Sequence, residues 1–246
     1  MFRINKIVAK ICAVAKRLIT GIFHRFNPIN ETYYVGTTRE SGQAQLKILK
    51  EIGLTSEDKL LEFGCGALNG SRPIFEYLQQ GNYVGVDPNP WLRNLRKIKS
   101  FPTLVSSLQH KPKFLTNSTF SGPPSSEHSF DYVFAHSILS HACIEQVRQF
   151  FANSSLLLKS NGKLVASWRD TEGNSLGSLG SPNKLDSTDT SWVYPGVTFF
   201  SKYTLMTIAT ENNFELQFRP DITQFLTQVR ASEYHDWFVA IKKECI

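Results

Sequence analysis

Leu60-Leu61-Glu62-Phe63-Gly64-Cys65-Gly66-Ala67-Leu68-Asn69-Gly70 is a short apolar run that stops abruptly at glycines, with an acid two positions before the first of them. A short, continuous apolar run bounded by turn residues is the pattern of a strand covered on both faces. Glycines directly behind such a strand let the chain turn tightly and let its backbone approach a ligand closely. Tyr83-Val84-Gly85-Val86 is a second run of the same kind, and it closes on Asp87, 25 residues after Glu62. At the end of the second strand of a strand–helix–strand unit, an acid is placed to accept from both hydroxyls of an adenosine ribose. Together the two features point to an adenosine-containing ligand.

The chain on either side continues the alternation. Gln43 to Ile52, residues 72–80 and a basic stretch from Trp91 to Ser100 predict helices. Lys113-Phe114-Leu115 predicts a weak strand, Ser121–Ser129 a loop, Phe130 to Ala135 a buried strand and Ile144 to Leu158 a helix. Asn161-Gly162 reads as a turn into the strand Lys163–Ser167. Residues 170–191 are polar and rich in Gly and Ser without periodicity, the pattern of a loop or lid. A helix at Lys202–Glu211 and strands at Phe214–Phe218 and Trp237–Ile241 follow, with no helix of clear periodicity between those two strands. The fold class is therefore α/β, a doubly wound, mostly parallel seven-stranded sheet of Rossmann-like type with an antiparallel strand at one edge.

Lys and Arg number 27 against 21 Asp and Glu, a formal charge of +6. Residues 1–30 hold Arg3, Lys6, Lys10, Lys16, Arg17 and Arg25 and no acid, so positions 31–246 carry equal numbers of both signs. The excess belongs to one segment, in which Ile4, Ile7, Val8, Ile11, Ala15, Leu18, Ile19, Ile22 and Phe26 recur at helical spacing opposite a basic face. This predicts a basic amphipathic helix over 1–30 ahead of a single domain at 31–246. Lys10, Lys16 and Arg17 interrupt it too often for a transmembrane span or a signal peptide's apolar core. Membrane-surface contact through residues 1–28, docking on the domain and organelle targeting all fit such a helix. A protein with a charge-neutral body is not expected to bind nucleic acid. Cys12, Cys65, Cys143 and Cys245 form neither a metal signature nor a disulfide framework, which suits a reducing, cytoplasmic setting, at a membrane periphery if the helix is an anchor. No metal is expected.

Two adenosine ligands compete for the first loop. A dinucleotide fingerprint wants a third glycine where Asn69 stands, and it has no use for an acid two residues before the first glycine. A ligand with an ammonium group and no pyrophosphate suits Glu62-Phe63-Gly64-Cys65-Gly66, and S-adenosylmethionine is such a ligand. Over residues 31–242 the chain resembles the class I S-adenosylmethionine-dependent methyltransferases. The resemblance rests on Leu61–Gly66, Val84-Gly85-Val86-Asp87-Pro88, Phe130-Asp131-Tyr132-Val133-Phe134-Ala135-His136-Ser137 and Leu158-Lys159-Ser160-Asn161-Gly162-Lys163-Leu164, in the family's order.

That resemblance implies that Glu62, Gly64, Cys65 and Gly66 line the methionine part of the cofactor, and that Asp87, with Pro88, holds the ribose. It implies Asn117 near the adenine amino group, in place of the usual acid, and His136 beside the sulfonium. Leu68 stands where the family has a third glycine. The expected activity is methyl transfer to a small molecule (a sugar, lipid or secondary metabolite), with oxygen the favoured acceptor. Transfer to oxygen needs a base, and His136 and His141 are the candidate catalytic residues, ahead of Asp170, Tyr194 and His235. Trp168, Trp192 and Tyr194 are candidates for a substrate wall or for packing. The departures at Leu68 and Asn117 keep a second reading open, a non-catalytic methyltransferase-like partner protein. A dinucleotide-dependent oxidoreductase is the third.

Overall fold

The computed structural model describes residues 39–66, 68, 70–88, 110–171, 198–228 and 235–243. The expected N-terminal amphipathic helix, the expected helix at 91–100, nearly all of the expected loop at 170–191, Trp192 and Tyr194 lie outside the described residues. In chain order come α1 (Arg39–Glu51), β1 (Leu60–Phe63), α2 (Arg72–Tyr77), β2 (Tyr83–Val86), β3 (Lys113–Leu115) and β4 (Phe130–Ala135). A 3-10 turn at Leu139–His141 is followed by α3 (Ile144–Leu157), β5 (Leu158–Trp168), α4 (Lys202–Glu211), β6 (Phe214–Phe218), α5 (Pro220–Gln228) and β7 (Asp236–Lys242).

The seven strands form one sheet in the order β3-β2-β1-β4-β5-β7-β6. All neighbours from β3 to β5 are parallel, and β7 runs antiparallel between β5 and β6. The direction of winding reverses between β1 and β4, and the crevice beyond their carboxyl ends is where such sheets bind ligands. A period of two sends Leu61 and Phe63 of β1 to one face and Leu60 and Glu62 to the other, and all four are buried. On the first face Phe63 meets Phe120 and Phe150 edge-on, with ring centroids 5.3 and 5.9 Å apart, under α3. On the second, Leu60 joins Ile48 and Leu49 of α1, Ile74 and Phe75 of α2 and Trp237 of β7. Helix α1 comes so close to the first loop that a Cβ on Gly42 would lie 2.5 Å from the Gly70 carbonyl oxygen. That contact matters below, because α1 carries a side chain into the site.

Three departures from the sequence reading bear on the architecture. Helix α1 begins four residues earlier, at Arg39. Strand β5 starts at Leu158, which pairs with Phe130, and continues through Asn161-Gly162 to Trp168. The pair does make a local turn, with Asn161 at φ 62°, but it forms a bulge inside the strand instead of a boundary before it. A helix, α5, occupies the stretch between β6 and β7 where none was expected. Its core face is Ile222, Phe225 and Leu226, a stripe of little more than one turn that the Thr and Gln around it dilute. Pro220 at its start suits a first helical turn, where a missing N–H costs nothing. Trp168 belongs to the core: it packs on Phe218 and Phe238 and donates through Nε1 to the Phe200 carbonyl.

Candidate active site

The loop after β1 wraps around the end of β2. Gly64 N–H donates to the Val86 carbonyl (2.7 Å), and Gly66 N–H donates to Asp87 Oδ2 (2.9 Å). Gly64 and Gly66 hold φ of 78° and 51°, values that side chains rarely tolerate. At Gly64 the space is closed as well, since a Cβ there would lie 2.0 Å from Ile138 Cδ1 of the loop after β4. The two strand-end loops therefore meet at Gly64. Leu68 adopts φ 64°, the left-handed backbone that the family's third glycine would take easily, and buries its side chain under α1 and α2. The substitution keeps the shape of the loop at the cost of local backbone strain, of order 1–2 kcal/mol.

Glu62 lies beneath this loop, buried. Its Oε2 accepts from Tyr83 Oη at 2.7 Å, and Ser71 stands beside the pair while donating to the Cys65 carbonyl at 3.1 Å. Burial is the main influence on this carboxyl and raises it from its ordinary 4.5 to about 7, against the Tyr83 and Ser71 hydrogen bonds. Burial likewise pushes the Cys65 thiol well up, so Cys65 stays protonated, its Sγ tucked over Gly85 where a Cβ would come within 2.8 Å.

The end of β4 supplies the other wall. Ser137 stands at φ 59°, its N–H held by Ser167 Oγ of β5 at 2.8 Å, a non-glycine in the left-handed region of the kind that collects at functional sites. His141 closes the 3-10 turn, and Cys143 caps α3 by donating its N–H to Gln146 Oε1 at 2.9 Å. The His136 ring stacks on Trp237 (5.3 Å, 11°) and meets His235 edge-on (5.5 Å). Its Nδ1 lies 3.0 Å from Gln45 Nε2 of α1. Burial pushes His136 down to about 4, so the ring is neutral at neutral pH. His235 is also held well below its ordinary value, by burial first and then by the positive field of His136, Arg169 and His141. His136, His141, His235 and Arg169 thus share one end of the sheet. Among the described residues, no three His, Cys, Asp or Glu side chains are grouped to hold a metal ion.

Asp87 and the loop 64–66 come together as expected, while Asn117 is engaged in its own loop. Its Nδ2 donates to the Ser121 carbonyl (3.0 Å), and its Oδ1 accepts from Thr119 N–H at 3.3 Å. Pro88 follows Asp87 at the surface. Asp170 pairs with Lys202 at 3.3 Å. The sequence reading missed Gln45, Trp237, Tyr83 and Ser71. Tyr83 was legible in principle, since β1 and β2 pair in register from Leu60 and Tyr83 and share their faces.

Residues 61–164 match a family described as a methyltransferase domain. No curated protein matches the chain in sequence. The matched segment runs from β1 into β5 and takes in the first loop, Asp87 and the end of β4. Solved structures share the fold at low identity. A Pyrococcus horikoshii protein, PH0226, is 16% identical with a TM-score of 0.58, over 90% of this chain and 98% of that one. Magnesium protoporphyrin IX methyltransferase from Synechocystis, with bound S-adenosylhomocysteine, is 14% identical (TM-score 0.53), over 83% of both chains. Geranyl diphosphate C-methyltransferase from Streptomyces coelicolor is 11% identical (TM-score 0.55), over 82% of this chain and 77% of that one. The site suits an adenosine ligand without a pyrophosphate. A carboxylate offers about four lone-pair sites, of which Gly66 N–H takes one at Asp87. The left-handed glycines bring bare backbone to the same place.

Proposed function

We propose that this protein is a class I S-adenosylmethionine-dependent methyltransferase that moves the methyl group of its cofactor to an oxygen of a small molecule, with a sugar, a lipid or a secondary metabolite as the acceptor class. The observation that supports this reading is the meeting of the loops after β1 and β4 at Gly64 and Ile138, since His136 and His141 flank Ile138 in sequence on the second of these loops. Bound there, the cofactor supplies a methyl group already activated by its sulfonium. The chain's own work is to align the acceptor, exclude water and take a proton. Asp87 and the 64–66 loop hold the ribose and the methionine end, Glu62 faces the ammonium, and Asn117 Oδ1 accepts from the adenine amino group. His141, on the turn that leads into α3, is the proposed base. Incubating the full chain with methyl-labelled S-adenosylmethionine and a panel of sugars, lipids and phenolic metabolites tests the reading. Label in an ether or ester supports it; label only on nitrogen or carbon sinks the oxygen assignment.

Residues 1–28 are proposed to hold this protein on an anionic membrane surface, because an acid-free basic amphipathic helix gains from both apolar burial and charge attraction. No helix among the described residues is long and apolar enough to cross a membrane. Deleting residues 1–28 is expected to remove most sedimentation with phosphatidylserine-containing vesicles and to leave binding of S-adenosylhomocysteine intact. Equal sedimentation of both forms would reject the anchor.

A further inference from the structure

His136 raises a question that the base assignment does not answer. Of its two ring nitrogens, Nδ1 faces the Gln45 amide nitrogen at 3.0 Å, and the same amide nitrogen lies 3.3 Å from Ser41 Oγ. An amide nitrogen only donates, so Nδ1 must accept, and the single proton of the neutral ring is then on Nε2. Nε2 is buried and has no hydrogen-bond partner among the described residues. Trp237 Nε1, in the ring stacked on His136, is buried and unpartnered in the same way. A buried N–H left without an acceptor costs about 1–3 kcal/mol, and this stacked pair holds two for which the described residues offer none, a pairing that a bound ligand would complete. The groups facing this pair are His235 from the approach to β7, Arg169 from the end of β5, His141 from the 3-10 turn, and Gln45 and Ser41 from α1. Among the described residues these facing groups include no carboxylate that would make His136 a proton acceptor.

We propose that His136 is the hydrogen-bond donor that orients the methyl-accepting oxygen of the substrate, its ring locked by Gln45 with the proton on Nε2. This rests on the oxygen-transfer reading and divides the labour at the β4 end: His136 Nε2–H binds a lone pair of the acceptor oxygen, and the hydroxyl proton leaves to a separate base. It also restricts the substrate. The acceptor must offer a lone pair to His136 in addition to the one that attacks the methyl group, which an oxygen has and an amine nitrogen lacks. The ring's depressed basicity agrees with this role, since a neutral imidazole keeps its donor across the working pH range.

The same donor chemistry would serve the cofactor's carboxylate, and two measurements separate the sources. The first is nitrogen NMR of the full chain labelled on histidine, with the His136 signal identified by its loss in His136→Phe. The expected spectrum is a neutral ring protonated on Nε2 from acid to alkaline pH, switching to the Nδ1-protonated form in Gln45→Glu, whose carboxylate can only accept. A wild-type ring protonated on Nδ1, or one titrating near the ordinary value of about 6.5, overturns the proposal. The second is calorimetry of S-adenosylhomocysteine with His136→Phe, which keeps the stack on Trp237 and removes the donor. A change in Kd below about threefold assigns the donor to the substrate, whereas a loss of tenfold or more assigns it to the cofactor and overturns the proposal. Absence of binding heat in the wild-type chain would instead remove the cofactor reading, a failure that the tautomer measurement does not share.

Discussion

Asp87→Ala is expected to weaken S-adenosylhomocysteine by more than about 100-fold while leaving the fold intact. Two losses add. Hydrogen bonds to a charged group contribute about 1.5–3 kcal/mol each, and the ribose presents two hydroxyls to this carboxylate. The alanine also leaves the buried Gly66 N–H, now held at 2.9 Å, without its acceptor, so the loop loses the contact that fixes it against β2. The fold stands because Asp87 is not part of the packed core, and because its negative charge raises both Glu62 and Cys65, a repulsion that the variant removes. Calorimetry gives the binding loss and a thermal melt the stability. Asp87→Asn is the informative companion, since its amide oxygen can still accept from Gly66 while the charge is gone; it should fall between the two. If Asp87→Ala binds within threefold of wild type, the ribose assignment is wrong.

What the sequence revealed about this site was local, and what it hid was not. The first loop, the second strand and Asp87 were legible because each is a contiguous pattern: an apolar run, then glycine or an acid at a strand end. Strand β4 and helix α4 were legible for the same reason, and their limits agree with the structure. Helix α5 escaped because its Ile222, Phe225 and Leu226 stripe spans little more than one turn of a nine-residue helix, too short for a period to stand out among the Thr and Gln around it. The early start of β5 escaped because Asn161-Gly162 carries a true turn signal that the sheet absorbs as a bulge. Gln45 was beyond reach altogether. It meets His136 from 91 residues away, through a helix whose position depends on the close contact of Gly42 with Gly70. The motif puts His136 directly after β4, where it lies, but its protonation depends on that distant partner, so composition and spacing alone could suggest a base and no more.

Glu62→Gln is expected to change how the stability of the protein responds to pH. Burial raises the folded carboxyl to about 7 from its ordinary 4.5, so between those values the folded state binds more protons than the unfolded one. Stability therefore falls as pH rises through this window, by about 3 kcal/mol in total from this group, and is then constant above it. Glutamine has no such transition. Whatever fixed amount the variant gains or loses at Tyr83 and Ser71, its stability relative to wild type should climb by about 3 kcal/mol from pH 4.5 to pH 8. Urea melts across that range measure it, and parallel curves would show that Glu62 is ordinary. The same carboxyl makes a prediction about binding. An ammonium placed against Glu62 favours the ionised form, so below about pH 7 S-adenosylhomocysteine should bind with release of up to one proton, and its affinity should rise with pH and level off above that point. Calorimetry in buffers of different ionisation enthalpy counts the proton. Loss of the proton release in Glu62→Gln places the carboxylate on the ammonium. Equal release in both proteins means that Glu62, with Tyr83 and Ser71, only braces the loop from beneath.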